Sequence, residues 1–127
     1  MSAEIAGVDE DLVNLVGHGA TVLRPPYGNI NDSVRSTVGT PMILWSIDTL
    51  DWETQDASQI TEAVMSQVQD GSIILMHDIF STSVDAAEIF IPKLIEEGYQ
   101  LVTIHELAKI KGTELTTGIA YGDFTGQ

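Results

Sequence analysis

The chain contains no cysteine. Disulfides, thiolate metal sites and cysteine nucleophiles are therefore excluded, while the redox compartment stays open. Basic residues are scarce: 5 Lys+Arg stand against 19 Asp+Glu, a formal net charge of -14. That balance repels phosphate backbones and anionic lipid, which argues against nucleic-acid or membrane-surface binding. It suits a soluble protein acting on neutral or cationic material, with solubility the simpler reason for the acidity. No apolar run approaches membrane-spanning length. The opening "MSAEIAGVDED" has neither a basic region nor an apolar signal core, so any export signal is expected outside this chain. A G-x-S-x-G nucleophile motif is also missing, and Ser46, Ser72 and Ser81 have no such context. A metal-independent serine hydrolase is disfavoured accordingly.

What is present is enough for a core. With 127 residues and 43% hydrophobic content, the chain suits one domain over 1–127. Apolar runs of strand length alternate with segments of helical period. Val22-Leu23, Met42 to Ile47, Ile73 to Met76 and Leu101 to Ile104 read as about four strands. The second run is nearly continuous, as expected of a parallel strand covered on both faces. Ile60, Val64 and Val68 recur four apart, which predicts a helix from about Ala57 to Gln69 closed by Gly71. A second helix is expected from Val84 to Glu97, with Gly98 as its stop and a kink or restart at Pro92. Shorter helices are expected over Asp9–Val16 and Asp32–Val38, and residues 112–127 read as an irregular tail. Strand–helix–strand alternation predicts an α/β fold with parallel strands and right-handed crossovers. Four strands leave edges and faces uncovered, so the pattern reads as part of a larger barrel or sheet.

In α/β proteins functional groups gather at the carboxyl ends of strands. Those ends carry Arg24-Pro25-Pro26-Tyr27, then Asp48 to Trp52, then His77-Asp78, then His105-Glu106. A lone strand-end histidine is more often structural than catalytic, and a D-x-x-D-W turn alone is a common cap. Three complementary clusters at successive strand ends carry more weight. His77 is the side chain suited to move a proton near neutral pH. Asp51 or Asp48 could hold its ring nitrogen. Arg24 offers a planar fork for a buried carboxylate. The prolines lock the backbone so that the Tyr27 amide can aim at a developing oxyanion. Trp52 could wall a sugar ring.

Together "RPPYG", "DTLDW" and "LMHD", in this order, resemble the third to fifth motifs of the polysaccharide deacetylase family, the NodB-homology or family-four carbohydrate esterases. The similarity runs from about Gly19 to Ile110 and includes the ending "EEGYQLVTIHEL". The resemblance implies a distorted (β/α) barrel that removes acetyl groups from chitin, peptidoglycan or xylan. It implies a divalent metal, zinc above all, and an extracellular or cell-envelope location. Carried over, Arg24 would orient the catalytic base, and the Tyr27 amide would stabilise the oxyanion. Asp51 would tune His77 as proton donor. Trp52, Leu75, Tyr27 and Pro26 would line the substrate groove, and Asp48 would be structural.

The family's first two motifs, of the types T-F-D-D and H-S/T-x-x-H, do not occur. They supply the base and the metal ligands, so no metal ligand is expected in this chain. His18 reads as a loop residue and His105 as the opening of the last helix. The expectation is a C-terminal half of a deacetylase, inactive alone, completed by the N-terminal half or self-associating with a second copy. The contrasting expectation is a non-catalytic fragment that binds glycan or assembles with a partner.

Overall fold

A computed structural model of the protein describes residues 2–125. In chain order its elements are α1 (Ser2–Val16), a 3-10 turn (Pro26–Gly28), α2 (Asp32–Thr37), β1 (Met42–Ile43) and β2 (Ile47–Asp48). There follow α3 (Asp51–Thr54), α4 (Ala57–Gln67), β3 (Ile74–Leu75), α5 (Ser81–Glu96), α6 (Ile104–Ile110) and β4 (Ala120–Tyr121). Of the described residues, those up to Leu44 with Glu114–Tyr121 form one compact unit. Trp45–Thr113 and the described residues from Gly122 onward form another.

In the first unit β1 and β4 pair in parallel, Met42 opposite Ala120 and Ile43 opposite Tyr121. Leu23 makes a single parallel bridge to Met42. Val34, Val38 and Met42 are buried together, with Ile5, Leu23, Ile30 and Ala120 packed against them. Asn31 starts α2 by accepting a hydrogen bond from the Val34 N–H at 2.8 Å, which satisfies one of the free amides of the first turn.

In the second unit β2 and β3 pair in parallel, Ile47 opposite Ile74 and Asp48 opposite Leu75. Their carboxyl ends therefore leave the sheet from one edge. Asp56 caps α4 through the Gln59 N–H at 3.0 Å. The stripe read from the sequence faces α5: Ile60 and Val64 are fully buried with Ala86, Phe90 and Leu94. Burial of such side chains is worth about 1.5–3 kcal/mol each. This helix pair is the platform that carries the His77 and Asp51 loops.

The α/β character and the parallel pairing agree with the sequence expectation, but several elements differ. Residues 42–47 are not one strand; they divide into β1 and β2. Val22-Leu23 supplies only the bridge at Leu23. Leu101–Thr103 forms no strand: Thr103 instead caps α6, its hydroxyl accepting from the Glu106 N–H at 3.2 Å in a reciprocal capping box. A strand needs a neighbour to take its backbone groups, whereas a cap needs only local chain. The fourth strand is β4, inside the stretch expected to be irregular. That stretch also buries Phe124, whose N–H donates to the Gly71 carbonyl at 2.9 Å. Helix α1 begins earlier than expected, at Ser2, and α5 begins at Ser81 and runs unbroken through Pro92. Gly17, Gly71 and Gly98 all take positive φ, and those at 71 and 98 stand beyond α4 and α5.

Candidate active site

The DTLDW loop turns sharply. Thr49 is buried and its hydroxyl donates to the Leu75 carbonyl at 2.8 Å, fastening the loop to the end of β3. Leu50 then adopts φ 54, ψ 32, a left-handed conformation that costs a branched side chain about 1 kcal/mol or more. Its N–H is taken up by Asp48 Oδ1 at 3.0 Å. This turn starts α3 and sends Asp51 inward, where it has no exposed surface.

Buried carboxylates require compensation. Asp51 receives four donors: the Trp52 N–H at 2.9 Å and His77 Nδ1 at 2.8 Å on Oδ1, and the His77 N–H and the Ser83 hydroxyl, each at 2.6 Å, on Oδ2. Burial pushes the carboxyl pKa up, but the hydrogen bonds from Ser83 and His77 and the charge of the ring outweigh it. The net shift is downward. Asp51 is thus an anion and only an acceptor, so His77 Nδ1 must carry the proton that joins them. Nε2 is the ring nitrogen left for chemistry. Of the two aspartates that could have held the ring, the structure puts Asp51 on it, while Asp48 serves the loop.

The His77 side chain is 41% exposed. Phe80 meets its ring edge-on, centroids 6.3 Å apart at 71°. Beside it opens a cavity of about 560 Å³ with mainly apolar walls, including Met76, Ile79, Val84 and Ala87. Leu75 is buried in β3, and the Trp52 side chain is half exposed.

Arg24, Pro26 and Tyr27 belong to the first unit. Arg24 Nη2 donates to the Leu44 carbonyl at 3.1 Å, and burial draws its guanidinium pKa down. Pro25 is buried, Pro26 opens the 3-10 turn, and Tyr27 sits at φ 57, ψ 15 with its side chain almost wholly exposed. Hydrogen bonds from Gly28 N–H to Pro25 and from Asn29 N–H to Pro26 close the turn.

Sequence reasoning missed Ser83. It placed the helix start at Val84 and gave Ser83 no role, whereas α5 begins two residues before Ser83 with Phe80 as its cap residue. His18 Nδ1 lies 2.9 Å from the Gly19 carbonyl in a loop, and His105 is in the first turn of α6. Among the described residues no group of three or more His, Asp or Glu could hold a metal ion. The donor set does not fit a resident metal.

No protein-family model matches the chain. It is 44% identical over 103 residues to a peptidoglycan-N-acetylmuramic acid deacetylase of Bacillus subtilis, covering 80% of this chain and 22% of that protein. A solved structure described as T48 deacetylase with substrate superposes with a TM-score of 0.86 at 36% identity, over 93% of this chain and 58% of that one. A family 4 acetyl xylan esterase from Clostridium thermocellum, solved with a cobalt ion, superposes at 0.88 and 27% identity, over 96% of this chain and 62% of that one. The chain thus spans about a fifth of the curated relative and three-fifths of the solved chains. Its parallel strands and intervening helices are part of the (β/α) barrel of these neighbours. On the strength of these likenesses, and of the three motifs that carry its candidate site residues, the chain belongs to the polysaccharide deacetylase family, the family-four carbohydrate esterases.

Proposed function

We propose that the chain serves hydrolytic deacetylation of an N-acetylated polysaccharide, of peptidoglycan or chitin type, and supplies the proton-donor and oxyanion side of the site. The observation that carries this reading is the buried, four-donor Asp51 holding His77 Nδ1. Amide hydrolysis needs a proton at the departing nitrogen, because an amide anion is too poor a leaving group. An imidazolium steadied by a fixed anion and presenting Nε2–H meets that need. In the first unit Arg24 orients the base that the rest of the domain contributes, the Tyr27 N–H binds the oxyanion, and Pro26 and the Tyr27 side chain meet substrate; in the second, Trp52 and Leu75 meet substrate. A divalent metal, zinc first, supplies Lewis-acid chemistry when bound; the cobalt ion of the Clostridium neighbour supports a divalent site in the complete domain. Its ligands come from outside this chain, which works with the remainder of a deacetylase domain or with a second copy. The substrates in the relatives' names support action at the cell envelope.

Acetate release from acetylated chitin oligomers and peptidoglycan tests the reading. The chain alone is expected to be inactive, and addition of the family's remaining segment is expected to restore release. His77→Ala in that restored assembly should cut kcat by about 10²–10⁴-fold. Undiminished turnover in His77→Ala overturns the assignment. A second reading, non-catalytic glycan binding, is favoured by the half-exposed Trp52 together with the lack of a ligand cluster among the described residues. It predicts binding that Trp52→Ala weakens and no release under any complementation.

A further inference from the structure

Asp51 touches one side-chain hydroxyl. Ser83 Oγ donates to Oδ2 at 2.6 Å, on the carboxylate oxygen opposite to the one that takes His77 Nδ1. Ser83 is 2% exposed and lies in the first turn of α5. A hydroxyl there ordinarily satisfies the free amides of its own helix. This one does not: the cap residue is Phe80, and no side chain caps the helix. A carboxylate can rotate about its Cβ–Cγ bond, and either oxygen could then face the ring. The His77 N–H and Ser83 hold Oδ2 from two directions, from the loop and from α5. With Oδ2 so held, the carboxylate plane is fixed and Oδ1 stays on Nδ1. The Ser83 bond also stands first among the contacts that lower the Asp51 pKa.

We infer that Ser83 is a positioning residue for His77, acting through Asp51 to hold the ring in the Nδ1–H tautomer with Nε2 left for the leaving group. This rests on the proposed role of His77 but concerns a different group. Packing alone does not account for it, since alanine would fill the same buried turn.

Nitrogen-resolved NMR of the imidazole in this chain at neutral pH provides the test, because it reads the ring without turnover. Wild type is expected to show the Nδ1–H tautomer with a protected proton. Ser83→Ala should raise exchange of that proton with water by about tenfold and populate the other tautomer. Ser83→Thr, which keeps the hydroxyl, should restore the wild-type pattern. Glu88→Gly, which loosens α5 at an exposed site without removing a donor, should leave the ring unchanged. Should Ser83→Ala fail to fold, Ser83→Cys keeps the volume, donates weakly, and is expected to give the same loss. A folded Ser83→Ala or Ser83→Cys chain with wild-type exchange and tautomer overturns the inference. Unchanged ring behaviour together with acetate release from the complemented domain refutes this role of Ser83 alone. A responsive ring with no release refutes the proposed reaction alone.

Discussion

Asp51 shows how a single side chain couples stability to acidity. Its pKa is depressed in the folded protein, so the unfolded chain binds the proton more readily. The stabilisation it provides is therefore fully present above the ordinary carboxylate range, near pH 4, and is lost as pH falls through the depressed value. Asp51→Asn should remove that acid limb. It should also cost about 3 kcal/mol at neutral pH, because an amide cannot accept from all four donors and leaves buried groups unmatched. Urea unfolding followed by circular dichroism between pH 3 and 7 measures both effects; an unchanged acid slope in the variant would refute the account. The aspartate was legible in the sequence as one of two candidates. Side-chain chemistry left Asp48 and Asp51 both open, and the motif resemblance pointed to Asp51; what turns it inward is the left-handed Leu50, which no propensity for leucine predicts. Ser83 was harder still, because its role depends on a neighbour 32 positions away.

At the scale of elements, legibility followed locality. Helix α4 could be read because its stripe, its Asp56 cap and its length all lie within a dozen consecutive residues. The strands could not be delimited, since each described strand has two residues and exists only through its pairing. Leu101–Thr103 has the composition of a strand yet serves as a lead-in to a helix cap. Conversely, Ala120–Tyr121 has no strand signature of its own and is recruited by Met42–Ile43. The burial of Phe124 likewise depends on a glycine far back in the chain. A Cβ at Gly71, where φ is +95, would stand 2.5 Å from the Phe124 carbonyl group. Gly71→Ala should therefore destabilise by about 3 kcal/mol, combining left-handed strain with a backbone clash. Gly118→Ala meets only the Arg35 carbonyl at 3.5 Å and φ +79, so about 1 kcal/mol is expected there. Thermal melts of the two variants compare them directly, and equal losses would contradict the clash.

At the scale of the whole molecule, two forces oppose each other. Leu15, Ile79 and Ile110 are each at least 66% exposed, and apolar surface of this kind favours association. The formal charge of -14 resists it. Added salt shortens the reach of the repulsion to about 3 Å at 1 M and leaves the apolar attraction intact. The chain should consequently sediment as species above its 13.7 kDa monomer mass, and more so as salt rises. A monomer at all salt concentrations in analytical ultracentrifugation would show that the exposed apolar side chains are too dispersed to join.

The saturated carboxylate beneath His77 has one further consequence for the proposed reaction. With every one of its donors in place, Asp51 keeps its negative charge throughout a cycle. The pair therefore alternates between neutral, when the ring is charged, and singly negative, once the ring has surrendered its proton. The amine freed by that proton leaves neutral; once water protonates it, the resulting ammonium would face an anion until the imidazole is recharged from bulk water.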